Sequence, residues 1–188
     1  MNHEIKFTEE DFKKLKTGDK DSFDLLYQDY YLVLYRTALL ILGNKEDAED
    51  VLQDTFVSIY KNAQTLSDFE KLRPWIFSIL KNTSYTRYKK RKKEFPDEFV
   101  LDRAEESPTY LGEDDFAEKS EIQDALMTLK EKEREVLVLY YYNDFSIEEI
   151  AIICKTFQGT VKSRLHRARK NLKKELLKTQ EEYEGELL

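Results

Sequence analysis

Residues 146–174 read SIEEIAIICKTFQGTVKSRLHRARKNLKK, with eight Lys and Arg from Lys155 to Lys174 and no Asp or Glu over that range. The stretch opens on Ser146-Ile147-Glu148-Glu149, in which a hydroxyl at a helix cap and a carboxylate three residues on can satisfy each other's backbone amides. The helix so started buries Ile147, Ile150, Ala151 and Cys154, and breaks around Lys155 and Thr156. A second helix follows. Val161, Leu165, Ala168 and Leu172, spaced four, three and four, draw one apolar stripe along it. Lys162, Ser163, His166, Arg169 and Lys173 share the outward side. Arg164 and Arg167 flank that side at a spacing suited to phosphates on the two walls of a groove. Gly159, in the first turn, either lets backbone amides approach a phosphate or makes room for a packed neighbour. The pattern is that of a helix-turn-helix, weighed against a merely solvated basic helix.

The chain as a whole has the opposite charge. It holds 31 Lys and Arg against 38 Asp and Glu, a formal net charge of -7, so any affinity for nucleic acid must come from local patches. Lys71 to Lys93 carries nine basic residues and no acidic one, whereas Glu94 to Asp124 carries twelve acidic and two basic. Two basic segments around an acidic one suggest two nucleic-acid surfaces joined by a spacer that DNA repels. Phe95 to Phe116 contains Pro96, Pro108 and Gly112 and no sustained apolar period, the profile of a flexible linker. With five Gly and three Pro in all, the rest favours helix.

The expected fold is therefore all-α, two small helical domains joined by a flexible acidic linker. The expected boundaries are 1–94, 95–121 and 122–188. One Cys excludes an internal disulfide and suits a reducing interior, and no long apolar run or leader-like start is present, so a cytoplasmic protein is expected. Two His, one Cys and no phosphate-cradling glycine loop leave little from which to build a catalytic, metal or cofactor site; an enzyme is not expected.

In the first domain Asn44 is a plausible cap, with acids in the first turn at the positive end of the helix dipole. Ala48, Val51, Leu52, Thr55 and Ile59 mark its buried stripe and leave Asp47, Asp50, Gln53 and Asp54 outside. That acidic face suits a basic protein surface as well as plain solvent. Arg73-Pro74-Trp75 then starts a helix with Pro in its first turn. Trp75, Ile76, Ile79, Leu80 and Thr83 lie on one side, with Asn82 at the stripe's edge, open either to a flipped base or to nearby backbone. Tyr85 and Tyr88 alternate with Lys81, Arg87 and Lys89, ahead of five consecutive cations from Lys89 to Lys93.

Together, Glu49-Asp50-Val51-Leu52-Gln53-Asp54-Thr55-Phe56, Pro74-Trp75-Ile76-Phe77 and Gly159-Thr160-Val161-Lys162-Ser163-Arg164-Leu165-His166-Arg167-Ala168-Arg169 resemble bacterial sigma factors of the extracytoplasmic-function group, over nearly the whole chain. The resemblance implies a non-catalytic subunit that gives core RNA polymerase its promoter choice, for a stress or envelope-response regulon. Asp47, Asp50, Gln53, Asp54 and Phe56 would contact the polymerase, whose beta and beta-prime subunits are the implied partners. Phe69, Arg73, Lys81, Asn82, Arg87, Tyr88, Lys89 and Arg91 would hold the minus-ten element. Thr160, Lys162, Ser163, Arg164, His166 and Arg167 would read the minus-35 element of promoter DNA. The acidic linker would thread toward the RNA exit channel, and a separate anti-sigma factor, often membrane-bound in this group, would silence the chain. Lys155 stands where the group's turn usually has Gly, so either a residue with a side chain accepts an awkward backbone angle or the turn differs. The rival readings are a stand-alone helix-turn-helix regulator and a polymerase-binding adaptor.

Overall fold

The computed structural model describes residues 6–94 and 120–186, and every regular element among them is helical. Helix α1 spans Glu9–Leu15, α2 Lys20–Leu42, α3 Lys45–Asn62 and α4 Leu72–Glu94. After residues 95–119 come α5 (Ser120–Met127), α6 (Glu131–Tyr141), α7 (Ile147–Ile153) and α8 (Gln158–Glu186). The linker, its acids and its path to an exit channel lie outside the described residues.

Local chemistry sets the helix ends. Thr8 and Asp11 cap α1 reciprocally, Asp19 accepts from the Ser22 amide at the start of α2, and Asn44 accepts from the Asp47 amide at the start of α3. Between α2 and α3 the chain turns on Gly43 at φ 73°, a left-handed cap that glycine takes without strain. A Cβ on Gly43 would also run into the side chain of Met127, at the end of α5.

Ala48, Val51, Leu52, Thr55 and Ile59 are buried as the stripe requires, packing α3 against α2 and α4. The Thr55 and Thr83 hydroxyls meet at 2.9 Å between α3 and α4. Helix α4 departs from a single-stripe reading: Ile76 and Leu80 are buried, but so is Phe77, 100° round the helix from Ile76. Three helices cover α4: α3, α2 and, from the second half, α7. Phe77 belongs to the contact with the second half, its ring edge-on to Phe145 at 4.8 Å between centroids.

The second half thus packs onto the first. One buried cluster takes in Leu26, Leu34, Ile76 and Phe77 from the first half and Val136, Leu139, Phe145, Ile150 and Ile153 from the second. At the seam the Asn143 amide donates to Thr37 Oγ1 at 2.9 Å, both residues buried. The Arg73 guanidinium donates to the Asn143 carbonyl oxygen and lies 4.1 Å from the Phe145 ring centroid. Each buried aromatic in such a contact contributes about 1.5–3 kcal/mol through its apolar area.

Candidate nucleic-acid and polymerase interfaces

The helix-turn-helix forms from α7 and α8. Ser146 and Glu149 make the expected reciprocal cap, with Ser146 Oγ accepting from the Glu149 amide and Glu149 Oε2 accepting from the Ser146 amide at 2.8 Å. Ile150, Ala151 and Cys154 are buried and Ile147 packs half-buried beside them. Lys155 sits at φ 48°, so the turn has the left-handed geometry its position demands and a lysine bears it. Its amide donates to the Ile152 carbonyl, and the Thr156 amide reaches back to Ala151.

In α8, Val161, Leu165 and Ala168 are buried against α6 and α7, and Leu172 is half-buried. Lys162, Ser163, His166, Arg167 and Arg169 are exposed, with Thr160 and Arg164 half-exposed. A Cβ on Gly159 would meet nothing within 4 Å, so this glycine leaves open space rather than fitting a packed neighbour. Phe157, just before the helix, is 85% exposed and the most exposed of the large apolar side chains described. Arg167 has a second attachment: its Nε donates at 3.0 Å to Glu133, a buried carboxylate on α6 that also accepts from Asn171 at 3.0 Å.

The residues expected at the minus-ten element separate into groups. Asn82 is exposed, and its side chain makes no hydrogen bond among the described residues; only its carbonyl is used, by Thr86. Lys81 and Lys89 lie on Tyr85, their Nζ atoms 5.6 and 4.5 Å from its ring centroid. Tyr88 is half-buried. Phe69 is not a free aromatic, since its ring tilts against Phe12 of α1 at 5.8 Å. Arg73 is held in the seam.

Arg87 and Arg91 turn toward α3, and here the outward placing of Asp47 is corrected. Asp47 is 5% exposed and takes Arg87 Nε at 2.5 Å and Arg91 Nη1 at 2.9 Å. Arg87 also reaches Asp50 at 2.9 Å. Asp47 sits at the edge of the apolar stripe, and two guanidiniums from the basic end of α4 draw its carboxylate inward. Asp50, Gln53 and Asp54 do face out. Phe56, also expected at a polymerase contact, is buried, with the Phe23 and Tyr27 rings at 6.3 and 4.5 Å.

Sequence reasoning missed a ladder of rings on α2 and α3. Tyr27 meets Tyr31 at 5.3 Å, Tyr31 stacks on Tyr35 at 6.3 Å, and Tyr60 meets Phe23 at 5.1 Å. Its signal was present in the four-residue spacing of Tyr27, Tyr31 and Tyr35, one row of a helix. Spaced four and three apart, Gln53, Val57 and Tyr60 likewise share the exposed face of α3. Among the described residues no cluster of His, Cys, Asp and Glu could hold a metal ion, and no helix is long and apolar enough to cross a membrane.

A capped helix-turn-helix with a basic outer face thus packs beside a bundle that carries its own basic helix, the arrangement of a two-part helical DNA-binding protein. Residues 26–94 match the family Sigma-70 region 2, and residues 119–172 match Sigma-70, region 4. The ECF RNA polymerase sigma factor SigW of Bacillus subtilis (strain 168) is 31% identical over 175 residues, covering 87% of this chain and 94% of that protein. EcfG, an ECF RNA polymerase sigma factor of Rhodopseudomonas palustris (strain TIE-1), is 33% identical over 135 residues, 72% of this chain and 74% of its own. Among solved structures, the sigma factor RpoE of Bartonella quintana, in complex with the anti-sigma factor NepR, superposes with a TM-score of 0.67 at 30% identity, covering 81% of this chain and 96% of that one.

The chain belongs to the ECF RNA polymerase sigma factors. It is an alternative sigma factor that directs transcription initiation, with no catalytic activity of its own.

Proposed function

We propose that the outer face of α8 reads the minus-35 element through Thr160, Lys162, Ser163, Arg164, His166 and Arg167, and that α4 holds the minus-ten element around Asn82. The observation that carries this reading is the pairing of an exposed polar row on α8 with open space at Gly159, where a phosphate could come close to the backbone. In α4, the exposed Asn82 amide and the Lys81–Tyr85–Lys89 stack offer a base edge its hydrogen bonds and the backbone its counter-charge. Phe69, Arg73, Arg87, Tyr88, Lys89 and Arg91 complete that surface once released from their present partners.

Core polymerase is held through its beta-prime and beta subunits by the exposed face of α3, where Asp50, Gln53 and Asp54 stand beside Val57 and Tyr60. Asp47 and Phe56 support that face from beneath. The chain works in the cytoplasm, on a stress or envelope-response regulon, and is silenced by an anti-sigma factor held at the membrane. Support for such an inhibitor is the 30% identical RpoE, solved with NepR; the membrane attachment rests on the resemblance alone.

The test is to add the purified chain to sigma-free core polymerase with fragmented host DNA and map transcript 5′ ends. Discrete starts sharing two upstream motifs, lost with Lys162→Ala and Arg164→Ala, are expected. Starts unaffected by both substitutions would overturn the assignment to α8, and core binding without starts would favour an adaptor.

A further inference from the structure

Phe157 breaks two local rules at once. It stands at the cap position of α8, its carbonyl oxygen accepting from the Thr160 and Val161 amides at 2.9 and 3.1 Å. A Ser, Thr, Asp or Asn at that position would also accept from a first-turn amide through its side chain, which a phenyl ring cannot do. The ring buries almost nothing either, at 85% exposure against 61% for Ile152, the next most exposed of the large apolar side chains described. The folded chain forgoes a cap and gains no packing, the kind of local conflict that marks a functional position.

The surroundings of the ring point to what it meets. From Lys155 to Lys174 there are eight basic residues and no acidic one, so the ring sits in a field that attracts a polyanion. The major groove of DNA has phosphates along its walls and one apolar group on its floor, the C5-methyl of thymine. A helix-turn-helix reads base edges with the N-terminal end of its second helix, and Phe157 immediately precedes that end. A Cβ on Gly159 would meet nothing within 4 Å, which leaves room for a strand to pass close beside the ring. Lys162, Ser163, Arg164, His166 and Arg167 address phosphates and the donors and acceptors of bases. Phe157 adds an apolar probe to that polar row.

We propose that Phe157 is a specificity-determining residue, whose ring enters the major groove with the N-terminal end of α8 and packs on the C5-methyl group of a thymine in the minus-35 element. This rests on the assignment of α8 to that element and adds a base preference to it. Covering one methyl group is worth about fourfold in affinity. Uracil and cytosine lack the methyl and 5-methylcytosine carries it, so the preference follows the methyl rather than the pairing partner.

The test transcribes a promoter library, randomised through the minus-35 region, with core polymerase and the full chain as parent, Phe157→Ala or Phe157→Leu. One position should favour thymine in the parent, lose about fourfold of that preference in Phe157→Ala and keep part of it in Phe157→Leu, with the other positions unchanged. At that position deoxyuridine should weaken the parent by the same factor, and 5-methylcytosine should outperform cytosine; Phe157→Ala should be indifferent to both exchanges. Phe157→Ser, which supplies a capping oxygen, should match Phe157→Ala on DNA while melting higher, so that a weakened fold cannot explain the loss. Identical preferences in the parent and Phe157→Ala, or a parent indifferent to deoxyuridine, overturn the proposal. So does a uniform loss over every sequence, which would place the ring on the DNA backbone or on the polymerase. Altered preferences with Lys162→Ala and Arg164→Ala but not with Phe157→Ala remove this proposal alone; preferences unchanged in all three remove the assignment of α8 as well.

Discussion

Asp47 and Arg87, forty positions apart in the chain, meet at 2.5 Å with the carboxylate almost wholly buried, and Arg91 closes on its other oxygen at 2.9 Å. The acidic start of α3 and the basic end of α4 are thereby bolted together. Had Asp47 been a surface acid, its loss would matter little. Removing it instead takes the one buried carboxylate from both guanidiniums and leaves Arg87 only its contact with the more exposed Asp50 among the pairs described.

Asp47→Ala is expected to cost about 1–3 kcal/mol, and Asp50→Ala, whose carboxylate is half exposed, less than about 1 kcal/mol. Thermal denaturation of both variants distinguishes them. Equal losses would mean that the Asp47 bridge contributes no more than a surface pair.

Gly43→Ala combines two penalties, a left-handed backbone at φ 73° and a methyl directed into Met127. A loss of about 2–4 kcal/mol in urea denaturation is expected. Adding Met127→Ala should recover part of it by clearing the space. No recovery would assign the whole effect to the backbone.

Lys155→Gly should be neutral or stabilise by up to about 1 kcal/mol, because glycine takes φ 48° without the Cβ clash but brings extra freedom to the unfolded chain. Lys155→Val should destabilise. A Gly variant clearly less stable than the parent would show that the lysine side chain contributes more than its strained backbone costs.

Burial raises the Glu135 carboxyl above its ordinary value of 4.5; Lys81 opposes the rise, Glu131 adds to it, and Cys154 and Arg164 oppose it more weakly. A raised folded value means that the folded chain takes up this proton before the unfolded chain does. The resulting stabilisation is fully present below 4.5 and is lost as pH rises through the folded value. Glu135→Gln should accordingly gain stability over the parent at pH near 8, and the gain should shrink toward pH near 5. Urea midpoints at the two values check it, and a gap that widened on acidification would contradict the sign.

Arg167→Ala should weaken both DNA binding and stability, since it strips Glu133 of a partner, whereas Lys162→Ala should weaken binding alone. Phe157→Ala should leave the melting temperature unchanged, its ring being almost wholly in solvent. Thermal melts beside gel shifts on a minus-35 duplex separate the three.

Much of this was legible because its causes are local. The Ser146–Glu149 cap and the Val161–Leu165–Ala168 stripe each follow from residues a few positions apart, whereas the backbone angle at Lys155 was open between two geometries. What escaped depends on distant partners. Phe77 fell off the single stripe of α4 because the surface that buries it carries Phe145, on the far side of the linker. Asp47 read as outward because the arginines that draw it in lie in another helix. Thr37 and Asn143, polar and 106 positions apart, gave no periodic signal at all.

That last pair gives the seam a character of its own. A joint of hydrocarbon alone slides among several fits and, once parted, leaves a sticky scar. The amide-to-hydroxyl bond selects one fit between the halves, because a shifted one would leave two buried polar groups unpaired. The apolar residues of the shared cluster, Phe77 and Phe145 among them, supply the area of the joint, and the polar pair supplies its alignment. The fit between the two halves is therefore singular rather than approximate.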